Sequence, residues 1–134
     1  MKTNNNKNEI GFTITLPYPP SINHYYCRTR FGGMAIAKKG KEYRKEVTML
    51  IKQKFRNKVL TGNVTVAIHL FPPDRRKRDI DNVLKCLLDS IEDSGIIEND
   101  NQINVLLVTK KEIYTGEVFF SISKTNAVGV CDEK

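Results

Sequence analysis

Apolar and polar residues alternate from Ile10 to Leu16, the period of a strand with one buried face. Pro17-Tyr18-Pro19-Pro20-Ser21 stops that strand, because proline has no N–H to give a ladder. A loop to about Ala37 follows, carrying Asn23, Tyr25, Tyr26, Arg28, Arg30 and Gly32-Gly33, and loops of that length in compact domains commonly serve function. From Lys38 to Lys58 the period turns helical: Tyr43, Val47, Leu50, Ile51 and Phe55 recur three and four apart, while Lys41, Lys45, Lys52 and Arg56 lie off the stripe. Thr61-Gly62-Asn63 reads as a turn, and Val64 to Phe71 as a strand halted by Pro72-Pro73. A second helix is expected from Asp79 or Ile80 to Ser94, with Ile80, Val83, Leu84, Leu87, Leu88 and Ile91 on its apolar face and Gly95 just past its end. Ile103 to Ile113 and Glu117 to Ser123 read as two more strands, joined by a hairpin turn at Tyr114-Thr115-Gly116. The order β-α-β-α-β-β predicts an α+β fold, a mixed sheet covered by two helices.

Length bounds this to one domain over 1–134, with the polar segments 1–8 and 125–134 expected to be frayed. Lys and Arg outnumber Asp and Glu by 22 to 15, for a net charge of +7. That excess favours a polyanionic partner: DNA, RNA or an anionic membrane surface. Cys27, Cys86 and Cys131 are far apart and form no C-x-x-C pair, which argues against a zinc ribbon or a redox motif and fits reduced thiols in a cytosol. The first ten residues are polar and Asn-rich with no apolar h-region, and no run approaches the roughly 18 apolar residues of a membrane span. A cytoplasmic protein with no membrane partner is expected.

The charge is not spread evenly. Asp74-Arg75-Arg76-Lys77-Arg78 runs directly into Asp79-Ile80-Asp81-Asn82, with Lys85 close behind. Four consecutive cations attract a polyanion, and paired carboxylates hold a divalent metal. On a helix at 100° per residue, Asp81, Lys85 and Asp89 fall within about 80°, opposite the apolar stripe, with Asp79 at the helix start. Two oxygen ligands plus waters suit Mg²⁺ or Mn²⁺, which neutralise a phosphodiester's charge and lower the pKa of a bound water. Lys85 can then hold the pentavalent oxyanion or position the water.

The same residues also admit a plain reading. Asp79 can be a helix N-cap, and Asp81 with Lys85 an ordinary i, i+4 pair contributing a few tenths of a kcal/mol. Asp100 lies in the polar cluster Glu98-Asn99-Asp100-Asn101-Gln102 and can be a third acid or part of a polar turn. Its reach is limited: Asp81 to Gly95 spans about 21 Å along a helix, and five extended residues return about 17 Å at most. A site within one chain is just feasible; otherwise Asp100 serves a partner subunit.

Four stretches together carry a resemblance: Leu16-Pro17-Tyr18-Pro19-Pro20-Ser21-Ile22-Asn23, the run from Pro73 to Lys85, Asp89-Ser90 to Gly95, and Asn99-Asp100-Asn101-Gln102-Ile103. The chain resembles the RusA-type endodeoxyribonucleases, small Holliday junction resolvases of phages and prophages, from Ile14 to about Thr109. The resemblance implies a homodimer that binds four-way DNA junctions and nicks two opposed strands with Mg²⁺, in DNA recombination and repair. It implies Asp79, Asp81 and Asp100 as the essential, metal-binding acids and Lys85 as the catalytic lysine. Arg78 and Asn82 match supporting positions that contact DNA or orient the carboxylates, and Asn23 matches the Asn of the proline-rich loop, a DNA contact. Arg75, Arg76 and Lys77 complete the expected DNA-binding set. Where the family often has paired acids, this chain has Asn99-Asp100, so no fourth ligand is expected. Two other readings remain: a non-catalytic nucleic-acid-binding module whose carboxylates cap a helix, and a nuclease for flaps or RNA.

Overall fold

In a computed structural model of the protein, which describes residues 11–125, the alternating segments become strands close to their expected ends. In chain order the elements are β1 (Gly11–Pro17), α1 (Ile22–Tyr25), β2 (Tyr26–Arg28), β3 (Met34–Ile36), α2 (Lys38–Phe55), β4 (Val64–Phe71), α3 (Leu84–Ser94), β5 (Ile103–Lys110) and β6 (Glu117–Lys124). Short 3₁₀ turns cover Ile80–Val83 and Asp100–Gln102. The stretch read as a plain loop between β1 and α2 therefore holds a helical turn, α1, and a small antiparallel hairpin, β2–β3.

The helix expected from Asp79 or Ile80 begins only at Leu84. The preceding turn is tightened by i to i+3 bonds, Asn82 N to the Asp79 carbonyl at 3.2 Å and Leu84 N to the Asp81 carbonyl. Asp and Asn compete locally with helical hydrogen bonding, and Ile80 and Val83 are β-branched, so this segment is a poor start for an α-helix. At the other end Gly95 takes the expected left-handed conformation, φ 85°, and closes α3.

The expected hairpin between the last two strands does not form. The sheet order is β1-β6-β4-β5: β4 is parallel to β5 and antiparallel to β6, which pairs antiparallel with β1. The segment between β5 and β6 instead crosses the end of β4, with Lys111 N on the Leu70 carbonyl at 2.9 Å and Gly116 N on the Pro72 carbonyl at 3.2 Å. A glycine turn marks a change of direction but not the strand that follows beside it. Val64, Val66, Ile68 and Leu70 are all fully buried on one face of this central strand. The fold class stands as α+β in one domain, with a mixed four-stranded sheet.

Both long helices lie on one face of the sheet. Tyr43, Val47 and Ile51 of α2 and Cys86, Leu87 and Ile91 of α3 join Ile14, Leu16, Ile68 and Phe120 in the core. Full burial of one such side chain contributes about 1.5–3 kcal/mol. Cys86 packs as a small hydrophobe, its thiol pushed up to about 12 by burial. The opposite face carries Thr65, Ala67, His69 and Phe71 of β4, Val105 and Leu107 of β5, and Phe119 of β6.

Of the ends expected to fray, 1–8 and 126–134 lie outside the described residues, as does Cys131. Thr125 is tied down: its N–H reaches the Asn63 carbonyl at 2.9 Å and its hydroxyl donates to Asn104 Oδ1 at 2.7 Å. Among the described residues no helix is long and apolar enough to cross a membrane.

Candidate active site

The basic loop is shaped by its own charges. The Asp74 carboxylate pairs with Arg78 at 2.7 Å and accepts the Arg76 N–H at 3.0 Å. Arg78 also donates to the carbonyls of Asp74, at 3.1 Å, and Arg76, at 3.3 Å, and its guanidinium stands 6.0 Å from the Tyr18 ring centre. Lys110, at the end of β5, donates to the Arg78 carbonyl. Arg78 thus braces the loop, and the outward cations are Arg75, over the Tyr114 ring at 5.0 Å, Arg76, and Lys77. The hydrogen bond from Arg78, then that from Arg76, lowers the Asp74 carboxyl from 3.8 to about 2. A depressed carboxylate stabilises the folded loop above its unfolded pKa and loses that effect as pH falls through the folded value. The brace is therefore expected to hold at pH 4 and above and to release toward pH 2. Carboxyl NMR of Asp74 tests this: a midpoint near 2 is expected, and one near 3.8 contradicts the brace.

Asp79 occupies the N-cap position of the Ile80–Val83 turn, yet its side chain caps nothing. The Asp81–Lys85 pair is also absent; Lys85 instead reaches the next turn, to Asp89 Oδ1 at 3.3 Å. Both plain explanations of these acids fail. Among the described residues, Asp79 and Asp81 are exposed and make no side-chain hydrogen bond or ion pair. The ammonium of Lys85 is stabilised chiefly by the Asp89 hydrogen bond and charge, with smaller effects of Tyr26 and Asp100, so its pKa is raised.

Asp100 stands in a turn whose neighbours are structural. Asn99 Oδ1 accepts the Asn101 N–H at 2.8 Å, while Gln102 Oε1 accepts the N–H groups of Glu98 and Asn99 at 2.8 and 3.1 Å. Gln102 Nε2 donates to the Leu60 and Gly62 carbonyls at 3.0 and 2.8 Å. This box fixes the turn and leaves Asp100 exposed. Asp100 precedes β5, whereas Lys110, which touches the Arg78 carbonyl beside Asp79, ends it; the strand is about 23 Å long. The charge of Asp100 nonetheless reaches Lys85. Among the described residues, no three His, Cys, Asp or Glu side chains stand together closely enough to hold one ion. The donor set still fits a hard cation: Mg²⁺ commonly takes one or two carboxylates and completes its shell with water and substrate phosphate. Asp79 and Asp81, two residues apart and engaged with nothing else, are such a pair.

Asn82 is half-buried and helps line an open cleft of about 720 Å³ between the proline-rich loop, α2 and the basic loop, with Tyr18, Arg76, Lys77 and Arg78. Asn23 is exposed on α1, between Ser21 and His24 of that lining but not itself part of it. Tyr25, carried on the loop after β1, is fully buried; its hydroxyl donates to Asp89 Oδ2 at 2.7 Å and accepts from Arg44 Nη1 at 3.3 Å. Arg44 in turn pairs with Asp93 at 2.6 Å. Sequence reasoning missed Tyr25 and Arg44 as neighbours of the site. The signal that was available is Asp89, four residues after Lys85.

Comparison with known proteins identifies the family. The family model described as Endodeoxyribonuclease RusA matches residues 17–123. The crossover junction endodeoxyribonuclease of Enterobacteria phage HK97 is 37% identical over 99 residues, 74% of this chain and 82% of that protein. That of Shigella sonnei is 37% identical over 105 residues, 78% of this chain and 87% of the relative. The Escherichia coli K12 protein of the same name is 35% identical over the same length and shares. With a match spanning the proline-rich loop, the basic loop, both acid-bearing turns and the whole of α3, the chain belongs to the RusA endodeoxyribonuclease family.

Proposed function

We propose that this protein is a metal-dependent endodeoxyribonuclease that resolves four-way DNA junctions by nicking two opposed strands. One observation carries the reading: Asp79 and Asp81, on the turn that joins the basic loop to the helix bearing Lys85, are exposed and make no side-chain hydrogen bond or ion pair among the described residues. Arg75, Arg76 and Lys77 draw in the backbone through phosphate contacts that release counterions. Asp79 and Asp81 would hold Mg²⁺ or Mn²⁺; because Asp100 does not join them in one chain among the described residues, it would serve as the third acid across a dimer. The bound metal supplies charge neutralisation and an activated water. Lys85 faces the developing charge on the phosphoryl oxygens, where a fixed ammonium stabilises the transition state more than the ground state. Asn82 lines the adjacent cleft and Asn23 marks its outer approach, both as DNA contacts.

Two opposed strands call for two sites, which an isologous dimer presents with the symmetry of the junction. The half of the sheet left uncovered among the described residues suits that dimer. Val105, Leu107 and Phe119 are 45%, 59% and 38% exposed there, and β5 is an edge strand among the described residues, a surface that soluble proteins usually cover. Beside Phe119, His69 Nδ1 is buried without a partner among the described residues, as expected of a face that a second copy completes.

The competing reading, a binding module whose acids cap a helix, lacks its cap at Asp79. Cleavage of four-way junctions, flaps, plain duplex and RNA by one preparation in Mg²⁺ tests the substrate. Junction cleavage at least tenfold faster than any other is expected; equal or faster cutting of flaps or RNA contradicts the proposal.

A further inference from the structure

Lys85 does not stand alone on its helix. Its ammonium meets Asp89 Oδ1 at 3.3 Å, and the other oxygen of the same carboxylate takes the Tyr25 hydroxyl at 2.7 Å. Asp89 is only 17% exposed, so neither contact is an idle surface pair. The Tyr25 hydroxyl accepts from Arg44, which is anchored on Asp93 at 2.6 Å. The result is an unbroken alternation of cation, carboxylate, hydroxyl and cation, drawn from α1, α2 and α3. Such chains polarise one another and fix each member's direction.

The packing around Tyr25 is built to keep its hydroxyl there. Its ring is fully buried and lies 4.8 Å from the Tyr26 ring. Gly40, in the first turn of α2, is the clearance: a Cβ at that position would stand 2.5 Å from Tyr25 Cδ1 and 2.9 Å from Ile36 Cγ2. Glycine inside a helix costs about 0.5–1 kcal/mol relative to alanine. Here its lack of a side chain lets α2 close on the ring. Ala37 N also donates to the Tyr25 carbonyl at 2.7 Å, pinning the backbone of the same residue.

We propose that Asp89 and Tyr25 are positioning residues for Lys85, Asp89 holding the ammonium and Tyr25 holding Asp89, with Gly40 providing the space that sets the tyrosine. This rests on Lys85 acting in the reaction, as the proposed function has it. An exposed lysine with four rotatable bonds is a poor electrostatic catalyst unless its head is fixed before the charge develops. The arrangement holds the ammonium from the core side through Asp89, while the lysine side chain stays half exposed. Asp89, Tyr26 and Asp100 are the titratable groups that act on it.

The test compares wild type with Tyr25→Phe, Asp89→Asn and Lys85→Ala. Two readouts are needed: single-turnover cleavage at saturating junction, and the Lys85 Nζ titration by NMR. Asp89→Asn is expected to lower the maximal rate about 30-fold and Tyr25→Phe about fivefold, each with junction affinity within twofold of wild type. Lys85 is expected to lose its proton at lower pH in Asp89→Asn. Tyr25→Phe removes one oxygen and keeps the ring, so it decides the matter even where Asp89→Asn folds poorly. Wild-type rates in both variants, with Lys85→Ala inactive, overturn the inference while leaving the proposed function intact. If Lys85→Ala itself cuts like wild type, the role given to Lys85 falls instead, and an unmoved Lys85 titration in Asp89→Asn then overturns the positioning as well. Gly40→Ala is expected to lower the maximal rate in the same direction as Tyr25→Phe; a rate equal to wild type removes it from the proposal.

Discussion

Replacing Asp79 or Asp81 by Asn is expected to lower junction cleavage about 10³-fold while binding is kept or tightened. The magnitude follows from losing about 4 kcal/mol of transition-state stabilisation, the scale of a divalent metal's contribution, at 1.36 kcal/mol per tenfold. The direction of the binding change follows from position. Both carboxylates are exposed directly beyond the basic loop and neutralise no cation among the described residues, so their removal leaves the positive surface intact. Asn keeps the shape of Asp and no ion pair or cap is lost, so the melting temperature is expected to stay within a few degrees. Junction affinity by gel shift in EDTA, beside cleavage in Mg²⁺, reads both quantities at once. Cleavage by either variant at the wild-type rate contradicts the assignment of that acid. Loss of binding in step with cleavage turns the residue into a structural one.

The second large effect concerns the dimer. Leu107→Asp puts a charge at the most exposed apolar position of β5, 59% open in the single chain. In an isologous interface the change occurs twice, and a buried uncompensated carboxylate costs several kcal/mol, so the dimer dissociation constant is expected to rise at least about 10³-fold. The monomer is expected to keep its fold, because Leu107 lies outside the core and the helix-covered face is untouched. Sedimentation velocity at micromolar concentration distinguishes the outcomes. Wild type as dimer and Leu107→Asp as monomer supports the β5 face. A variant that dimerises like wild type moves the interface elsewhere, and a monomeric wild type removes the two-site scheme.

Much of the fold was legible because it follows from short periods. The alternation in Val64–Phe71 fixes which face is buried, and the three-and-four spacing in Lys38–Phe55 fixes the stripe of α2. What escaped is non-local. Tyr114-Thr115-Gly116 looks like a hairpin turn, and nothing in those residues says that β4 will stand between the strands it joins. The β2–β3 hairpin is built from strands of three residues, too short for a period to emerge. At the site, a wheel that starts at Asp81 pairs it with Lys85, but the α-helix starts at Leu84. The turn before it has another geometry, so the lysine's partner one turn on is Asp89. The residues expected to act stand out in the sequence by their charge and spacing. The residues that hold them, Gln102 behind Asp100 and Tyr25 behind Asp89, are 42 and 64 positions from the groups they reach, a distance no local pattern spans.

Paired cutting of a single junction tests the central claim most directly. A supercoiled plasmid that extrudes a cruciform offers one four-way junction: two nicks within one binding event yield linear DNA, whereas a single nick relaxes the plasmid and abolishes the junction. In Mg²⁺ the wild-type protein is expected to yield mainly linear product, with none when the metal is chelated or when Asp79→Asn replaces it. Nicked circles as the main product, or linear DNA formed equally in the absence of divalent metal, would contradict a metal-dependent, two-site junction nuclease.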